Sequence, residues 1–262
     1  MTAKVAAKIM PMVNVTYSTI PAPGSDGEDY LVAGPDWWIV LDGATPVPGA
    51  ETGCVHSVRW LVRRLAAELS HALTRQPDTS LPDIVAASIS AVRAAHGGTC
   101  DLSNPDSPSS TLAVCRQRTH RVECLVLADS PIVVGHRGGA LTIVADDRLA
   151  HLPGGRPYTG AQVRTWRNQP GGFWVASTAP EAARQAVIRE FDGADVSAIA
   201  MLTDGATRLI DHYGRRWADV FPDLEALGPR WLIEQTRHAE RARPLPHGKK
   251  HDDATALLIT MQ

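Results

Sequence analysis

From Val13 to Thr19 apolar and polar residues alternate, with Val13, Val15 and Tyr17 on one side, which is the period of a half-buried strand. Pro21 to Gly27 reads as a loop. Trp37 to Leu41 is a continuous apolar run ending at Asp42-Gly43, the pattern of a central strand that delivers an aspartate to a sheet end. The period then lengthens. Val58, Leu61, Val62, Leu65 and Leu69 recur at helical spacing, and Val85, Ile89 and Val92 repeat it behind Pro82. Both segments predict amphipathic helices that cover a sheet face.

Gly97 to Pro108 is a loop rich in Gly, Asn, Asp, Pro and Ser. After it, Thr111–Cys115, Val122–Leu127, Ile132–Gly135 and Leu141–Val144 predict a strand meander with polar turns. Residues 148–172 are irregular, carry Gly154-Gly155 and Gly171-Gly172, and read as a lid or flap insertion. Pro180 to Arg189 predicts a helix opened by proline, and Val196 to Leu202 a strand ending in Thr203-Asp204-Gly205. Leu224 to Arg241 predicts a helix, and Ala254 to Thr260 a last strand preceded by His251-Asp252-Asp253. This order suits two stacked antiparallel sheets flanked by helices on both outer faces, an α/β fold of four layers.

Composition adds bounds. At 262 residues, with 44% hydrophobic and 21% charged residues, the chain has material for one large domain spanning 1–262. Met1 to Met12 lacks the sustained apolar core and small-residue cleavage site of a secretory leader, and reads as a flexible start. No stretch reaches the ~20 apolar residues of a membrane span, so the expected location is cytoplasmic. A net charge of -2 with scattered histidines provides no basic field for nucleic acid or an anionic membrane. Cys54, Cys100, Cys115 and Cys124 show no CxxC spacing, which argues against a zinc ribbon or redox motif and for reduced, mostly buried thiols.

The candidate chemistry lies in Asp42, Asp204 and Asp252, each at the end of an apolar strand. Carboxylates gathered in one cleft repel unless a cation sits among them. Donors that are carboxylate, carbonyl and water suit hard octahedral ions, so Mg or Mn is expected over Zn or Cu. Two such ions ~3.5–4 Å apart can bridge a hydroxide, aim it at phosphorus and neutralise the phosphoryl oxygens. Each Asp-Gly alone is an ordinary turn dipeptide. Their order along the chain carries more.

Gly27-Glu28-Asp29, Asp42-Gly43, Ser109-Ser110-Thr111, Ala128-Asp129-Ser130, Asp146-Asp147, Thr203-Asp204-Gly205 and Asp252-Asp253-Ala254-Thr255 follow one another from near one end to the other. The series resembles the metal-dependent serine/threonine phosphatases of the type 2C (PPM) family, in which Asn-Glu-Asp, Asp-Gly, Gly-Ser-Thr, Gly-Asp-Ser, Thr-Asp-Gly and Asp-Asn-Ile-Thr occur in that order. The match covers about Val13 to Met261. The resemblance implies an αββα sandwich and a dinuclear Mg or Mn centre acting on phosphomonoesters, by default phosphoserine or phosphothreonine in proteins. Carried over by position, Asp42 would bridge both ions and the Gly43 carbonyl would bind the first. Asp204 and Asp252 would bind the second, with Glu28 and Asp29 acting through bound water.

Three departures stand out. The family's phosphate-binding arginine, four residues before the glutamate, is Gly24 here. Its histidine after the Asp-Gly is absent from Ala44-Thr45-Pro46-Val47. Four residues beyond Asp204, Arg208 replaces an aspartate that helps hold an additional metal, whose other ligand corresponds to Asp129. Arg208 is therefore a candidate to grip substrate phosphate, since guanidinium matches phosphate bidentately. His247, Lys249, Lys250 and His251 read as a polar loop before Asp252. Trp37, Trp38 and Trp60 read as core or contact residues, with Trp166 and Trp174 near the lid.

Alternatives are a small-molecule phosphate ester phosphatase, a non-catalytic module keeping the fold, and an N-terminal nucleophile hydrolase using Thr2. GxSxG, HExxH and GxxxxGK are all missing, which counts against lipase-type, zincin and P-loop readings. The pattern leaves the oligomeric state open.

Overall fold

The computed structural model describes residues 13–44, 49–155, 158–246 and 249–261. The leader 1–12, Thr45 to Val47 and His247 lie outside the described residues. The alternating segment forms β1 (Val13–Ile20). A short β2 (Tyr30–Ala33), β3 (Trp37–Leu41) and the two-residue β4 (Gly43–Ala44) follow, then helices α1 (Val58–Arg75) and α2 (Leu81–Ala95). Next come β5 (Ser109–Ser110), β6 (Leu112–Gln117), β7 (Arg121–Leu127), β8 (Ile132–His136), β9 (Leu141–Val144) and α3 (Gly160–Trp166). The chain continues through β10 (Val187–Asp192), β11 (Val196–Leu202), α4 (Asp204–Asp211), α5 (Trp217–Leu227), α6 (Pro229–Ala242) and β12 (Ala254–Met261).

One antiparallel sheet has the order β1-β12-β11-β8-β9 and the other β10-β7-β6-β3-β2, while β4 and β5 pair separately. Strand β3 shows why they stack. Its side chains point alternately to opposite faces, so Trp38 and Val40 join Ala113, Val126, Met201 and Leu257 between the sheets. Trp37, Ile39 and Leu41 face outward and pack under Leu61, Leu65, Ile84 and Ile89 of α1 and α2. On the other side Val133, Ala200 and Leu258 pack against Leu209, Phe221 and Ile233 of α4, α5 and α6. The expected four layers are present, and each fully buried Leu or Ile contributes roughly 1.5–3 kcal/mol.

Local signals set the boundaries. Ser57 caps α1 by accepting from the Trp60 amide, and Ser80 caps α2 ahead of Pro82. Among the described residues no helix is long and apolar enough to cross a membrane.

Four expectations change. The meander is split, because β6 and β7 belong to one sheet and β8 and β9 to the other; the crossing runs through Ala128, whose φ is 67°. Pro180–Gln185 is a short 3-10 helix, and the rest of the segment expected as helix enters edge strand β10. The helix expected from Leu224 to Arg241 is two, broken at Gly228 with φ 84° and restarted by Pro229. Within 148–172, α3 and a 3-10 turn at Arg148–His151 pack around Leu152, Phe173 and Val175. Arg164 pairs with Asp106 at 2.8 Å, and Arg167 donates to the Pro105 carbonyl, so this segment is tied to the 97–108 loop.

Candidate functional site

Antiparallel pairing of β11 with β12 places the end of one beside the start of the other. Asp204 therefore sits next to Asp252 and Asp253, and the approach is close because residue 205 is glycine: a Cβ there would run into the Asp253 carbonyl. Full-length pairing of β1 with β12 adds the loop that follows β1. Asp253 anchors that loop, accepting from the amides of Ala22 (2.8 Å) and Glu28 (2.7 Å). Asp29 accepts from Thr203 Oγ1 at 3.0 Å, and Thr203 in turn accepts from the Thr255 amide.

From the other sheet, β3 brings Asp42. Its backbone is clamped by Ser110 and Thr111: the Thr111 amide and Ser110 Oγ both donate to the Asp42 carbonyl, at 2.9 and 2.8 Å. Gly43 is equally constrained, since a Cβ would lie 2.6 Å from Val58 Cγ1 and 2.7 Å from Glu28 Cβ. Asp129 comes from the crossing between the sheets.

The electrostatics follow from this convergence. Burial pushes the Asp42 carboxyl well above the usual carboxylate range, and Asp204, Asp29, Asp129 and Asp252 push it further. Burial also raises Asp29 to about 7, against hydrogen bonds from Thr255 and Thr203. Asp129 is raised to about 7 by burial and by Asp204, with Asp146 and Asp211 adding to it. Burial and Asp252 raise Asp204, which shares a hydrogen bond with Asp42. Asp29 Oδ1 is buried with no hydrogen-bond partner. An orphaned carboxylate oxygen among mutually repelling carboxylates fits a hard cation, and so does the all-oxygen donor set. The expected residues Glu28, Asp29, Asp42, Gly43, Asp129, Asp204 and Asp252 thus converge on one end of the sandwich.

Arg208 is placed differently from the expectation. It is buried, its Nη1 pairs with Glu240 Oε1 at 2.7 Å, and its Nη2 lies 3.5 Å from Asp252 Oδ2. Nη1 also donates to the Lys249 and Lys250 carbonyls. Glu240 binds Arg237 (3.0 Å) and His251 (2.6 Å) as well. Burial works to raise the Glu240 pKa, but His251, Arg237 and Arg208 outweigh it and hold the pKa below its ordinary value. The guanidinium of Arg208 is engaged in fixing the 249–252 loop.

Two residues were underweighted by sequence. Lys249 Nζ lies 2.8 Å from Asp252 Oδ1 on a side chain that is 55% exposed. Partial burial works to lower its pKa, and Asp252, Asp204 and Asp42 overcome that and raise it. Asp211 lines a cleft of about 340 Å³ with Asp129, Asp146 and Asp204. Its spacing of two helical turns from Asp204 was the available signal. Gly24, by contrast, sits in an exposed turn with φ 81°.

The family model described as protein phosphatase 2C matches residues 23–240. No curated protein matches. Solved structures do. One is the serine/threonine phosphatase PstP/Ppp of Mycobacterium tuberculosis, at 15% identity, TM-score 0.61, and coverage of 95% of this chain and 99% of that one. A catalytic domain of PstP in complex with two manganese ions matches at 16%, TM-score 0.60, covering 95% and 97%. PppA, a regulatory component of T6SS in Pseudomonas aeruginosa, matches at 16%, TM-score 0.60, covering 95% and 98%. At such identities the likeness establishes the fold.

Proposed function

The chain belongs to the protein phosphatase 2C family, and on that premise we propose that it hydrolyses phosphomonoesters at a dinuclear Mn or Mg centre held by Asp42, Gly43, Asp204 and Asp252. The observation that carries the reading is the convergence of half-buried Asp42, Asp204, Asp29 and Asp129, with Asp29 Oδ1 left without a hydrogen-bond partner. Carboxylates kept so close at the expense of their own ionisation are explained by a positive guest. When bound, the two ions lower the pKa of water so that it attacks phosphorus at neutral pH, and they screen charge on the phosphoryl oxygens.

The chain's own groups have separable tasks. Asp42, its carbonyl clamped by Ser110 and Thr111, would be shared by the two ions; the Gly43 carbonyl would serve the first, and Asp204 with Asp252 the second. Glu28 and Asp29 act through water, and Asp129 stands on the side of the Asp211 cleft. Arg208 and Arg237 hold the loop that presents Asp252. Lys249, half exposed beside Asp252, would offer an incoming phosphate the cation that Gly24 cannot. The family default, phosphoserine or phosphothreonine in a protein, is the proposed substrate class, and one domain over 1–262 the proposed organisation, with 148–172 as its flap.

The test is hydrolysis of a chromogenic aryl phosphate and of a phosphothreonine peptide, with Mn or Mg, with and without EDTA. Metal-dependent turnover in wild type that vanishes in Asp204→Ala supports the dinuclear reading, whereas equal turnover with EDTA sinks it. Faster turnover of small esters than of peptides moves the substrate class to small molecules.

A further inference from the structure

A second set of metal-ligating side chains lies outside the aspartate cleft. Cys54 and His56 precede α1, while His96 ends α2 and Cys100 follows it. One donor atom from each of the four falls within 4.8 Å of all the others. We propose that these residues form a tetrahedral zinc site that ties the start of α1 to the end of α2.

The distances fit. Zinc bonds of ~2.3 Å to sulfur and ~2.0–2.1 Å to nitrogen, at tetrahedral angles, set a sulfur–nitrogen edge of about 3.6 Å and a sulfur–sulfur edge of about 3.8 Å. His56 Nδ1 lies 3.6 Å from Cys54 Sγ and 3.4 Å from Cys100 Sγ. The two sulfurs are 3.2 Å apart, so that edge must open as the ion enters, and the His96 nitrogen, within 4.8 Å of the other three donors, completes the set.

The imidazoles are held for the purpose. His96 is buried, and its Nδ1 is 2.9 Å from the Val92 carbonyl. A carbonyl only accepts, so Nδ1 carries the proton and Nε2 presents its lone pair, the arrangement that orients a metal-binding histidine. His56 stacks on Trp60 at 3.9 Å, and Trp60 meets the His96 ring edge-on at 4.8 Å. Val55, between the two ligands of the first loop, is 75% exposed, so alternation turns Cys54 and His56 inward together.

The donor set names the metal and its role. Two thiolates and two imidazoles in a tetrahedron select zinc over Mn or Mg, and four protein ligands close the site to water, making it structural. Binding releases the two thiol protons to solvent, and sulfur stays at its oxidation level. The loops it joins already meet through Asp101 N to Gly53 O (2.8 Å) and Asn104 Nδ2 to Glu51 O (2.8 Å). They lead to β4 and β5, which carry Gly43 and the Ser110 clamp on Asp42. The site buttresses one wall of the aspartate cleft. A Cys54–Cys100 disulfide is the rival, and it has no use for the two histidines.

The full chain purified under reductant from zinc-supplemented cells is assayed for zinc by mass spectrometry, for free thiols, and for the visible absorption of a cobalt-substituted sample. Expected are about one zinc per chain in both wild type and Asp204→Ala, at least a tenfold loss in Cys54→Ser/Cys100→Ser and in His96→Ala, and a tetrahedral cobalt–thiolate spectrum. Because Asp204→Ala lacks the phosphatase centre, zinc retained there separates this site from that one. Zinc retained by the double-cysteine variant, no zinc in folded wild type, or a chain two protons lighter with neither thiol reactive would each overturn the proposal. The cobalt spectrum of wild type decides the matter if the variants do not fold.

Discussion

Around Asp42 every donor is an oxygen and the donors arrive from strand ends in both sheets; around Cys54 the donors are sulfur and nitrogen, delivered by loops at two helix ends. The first cluster sits on rigid elements and is destabilised by its own charge, since burial and neighbouring carboxylates raise Asp42, Asp204, Asp29 and Asp129 together. The second carries no carboxylate, and an ion entering it would displace thiol protons. On the two proposals, one chain would sort two kinds of metal by donor chemistry alone: an exchangeable hard ion where reaction needs open positions, and a closed soft site where two loops need a rivet.

The sharpest way to break the comparison is to cripple one cluster and read the other. Asp204→Ala is expected to lower metal-dependent aryl phosphate turnover by at least about 100-fold while the zinc content stays unchanged; loss of both metals together would mean the clusters are not independent. Stripping zinc with a chelator, then restoring Mn, is expected to lower the melting temperature by about 5–10 °C and to leave measurable turnover. An unchanged melting curve would remove the buttressing role.

Lys249→Ala is a finer probe. It should raise KM for aryl phosphate about tenfold with a smaller change in kcat, and Lys249→Arg should recover most of it. Arg208→Ala should instead act on stability, because it strands buried Glu240; an effect on KM alone would return Arg208 to phosphate capture.

The smallest effect is on pH. Asp29 and Asp129, at about 7 in the metal-free fold, hold more protons there than in the unfolded chain at intermediate pH. Between pH ~4 and ~7 the unfolded state binds fewer protons, so the stability of metal-free protein falls as pH rises. Denaturant titrations at several pH values, with and without Mn, check this; Mn should flatten the slope, and a rising metal-free slope would contradict it.

What the chain discloses by itself depends on whether chemistry and periodicity coincide. Asp42 was legible because an unbroken apolar run from Trp37 to Leu41 ends on it, and Asp204 for the same reason after Val196 to Leu202. Strand β10 was not, since Glu190 and Asp192 interrupt its apolar residues and Pro180-Glu181-Ala182 upstream has the look of a helix start. Alternation alone also cannot say which sheet a strand joins, so the crossing at Ala128 stayed hidden. The Cys54, His56, His96 and Cys100 group was invisible for a related reason. Each pair mixes residue types at short spacing, and only the return of α2 beside α1 brings the pairs together. The ion pair of Arg208 was hidden as well, because its partner Glu240 lies on another helix.

The pairing of Val13 with Met261 carries a consequence for how the molecule is made. Strand β1 is finished first and must wait for β12, whose arrival also brings Asp252 and the Asp253 anchor for the loop holding Glu28. Contacts of such sequence separation are slow to form, so during synthesis the sheet bearing Asp42 and its helices can consolidate while the other lacks two adjacent strands. The acidic cluster closes only once β12 has joined, and until then the emerging chain is spared the repulsion among Asp42, Asp204 and Asp252.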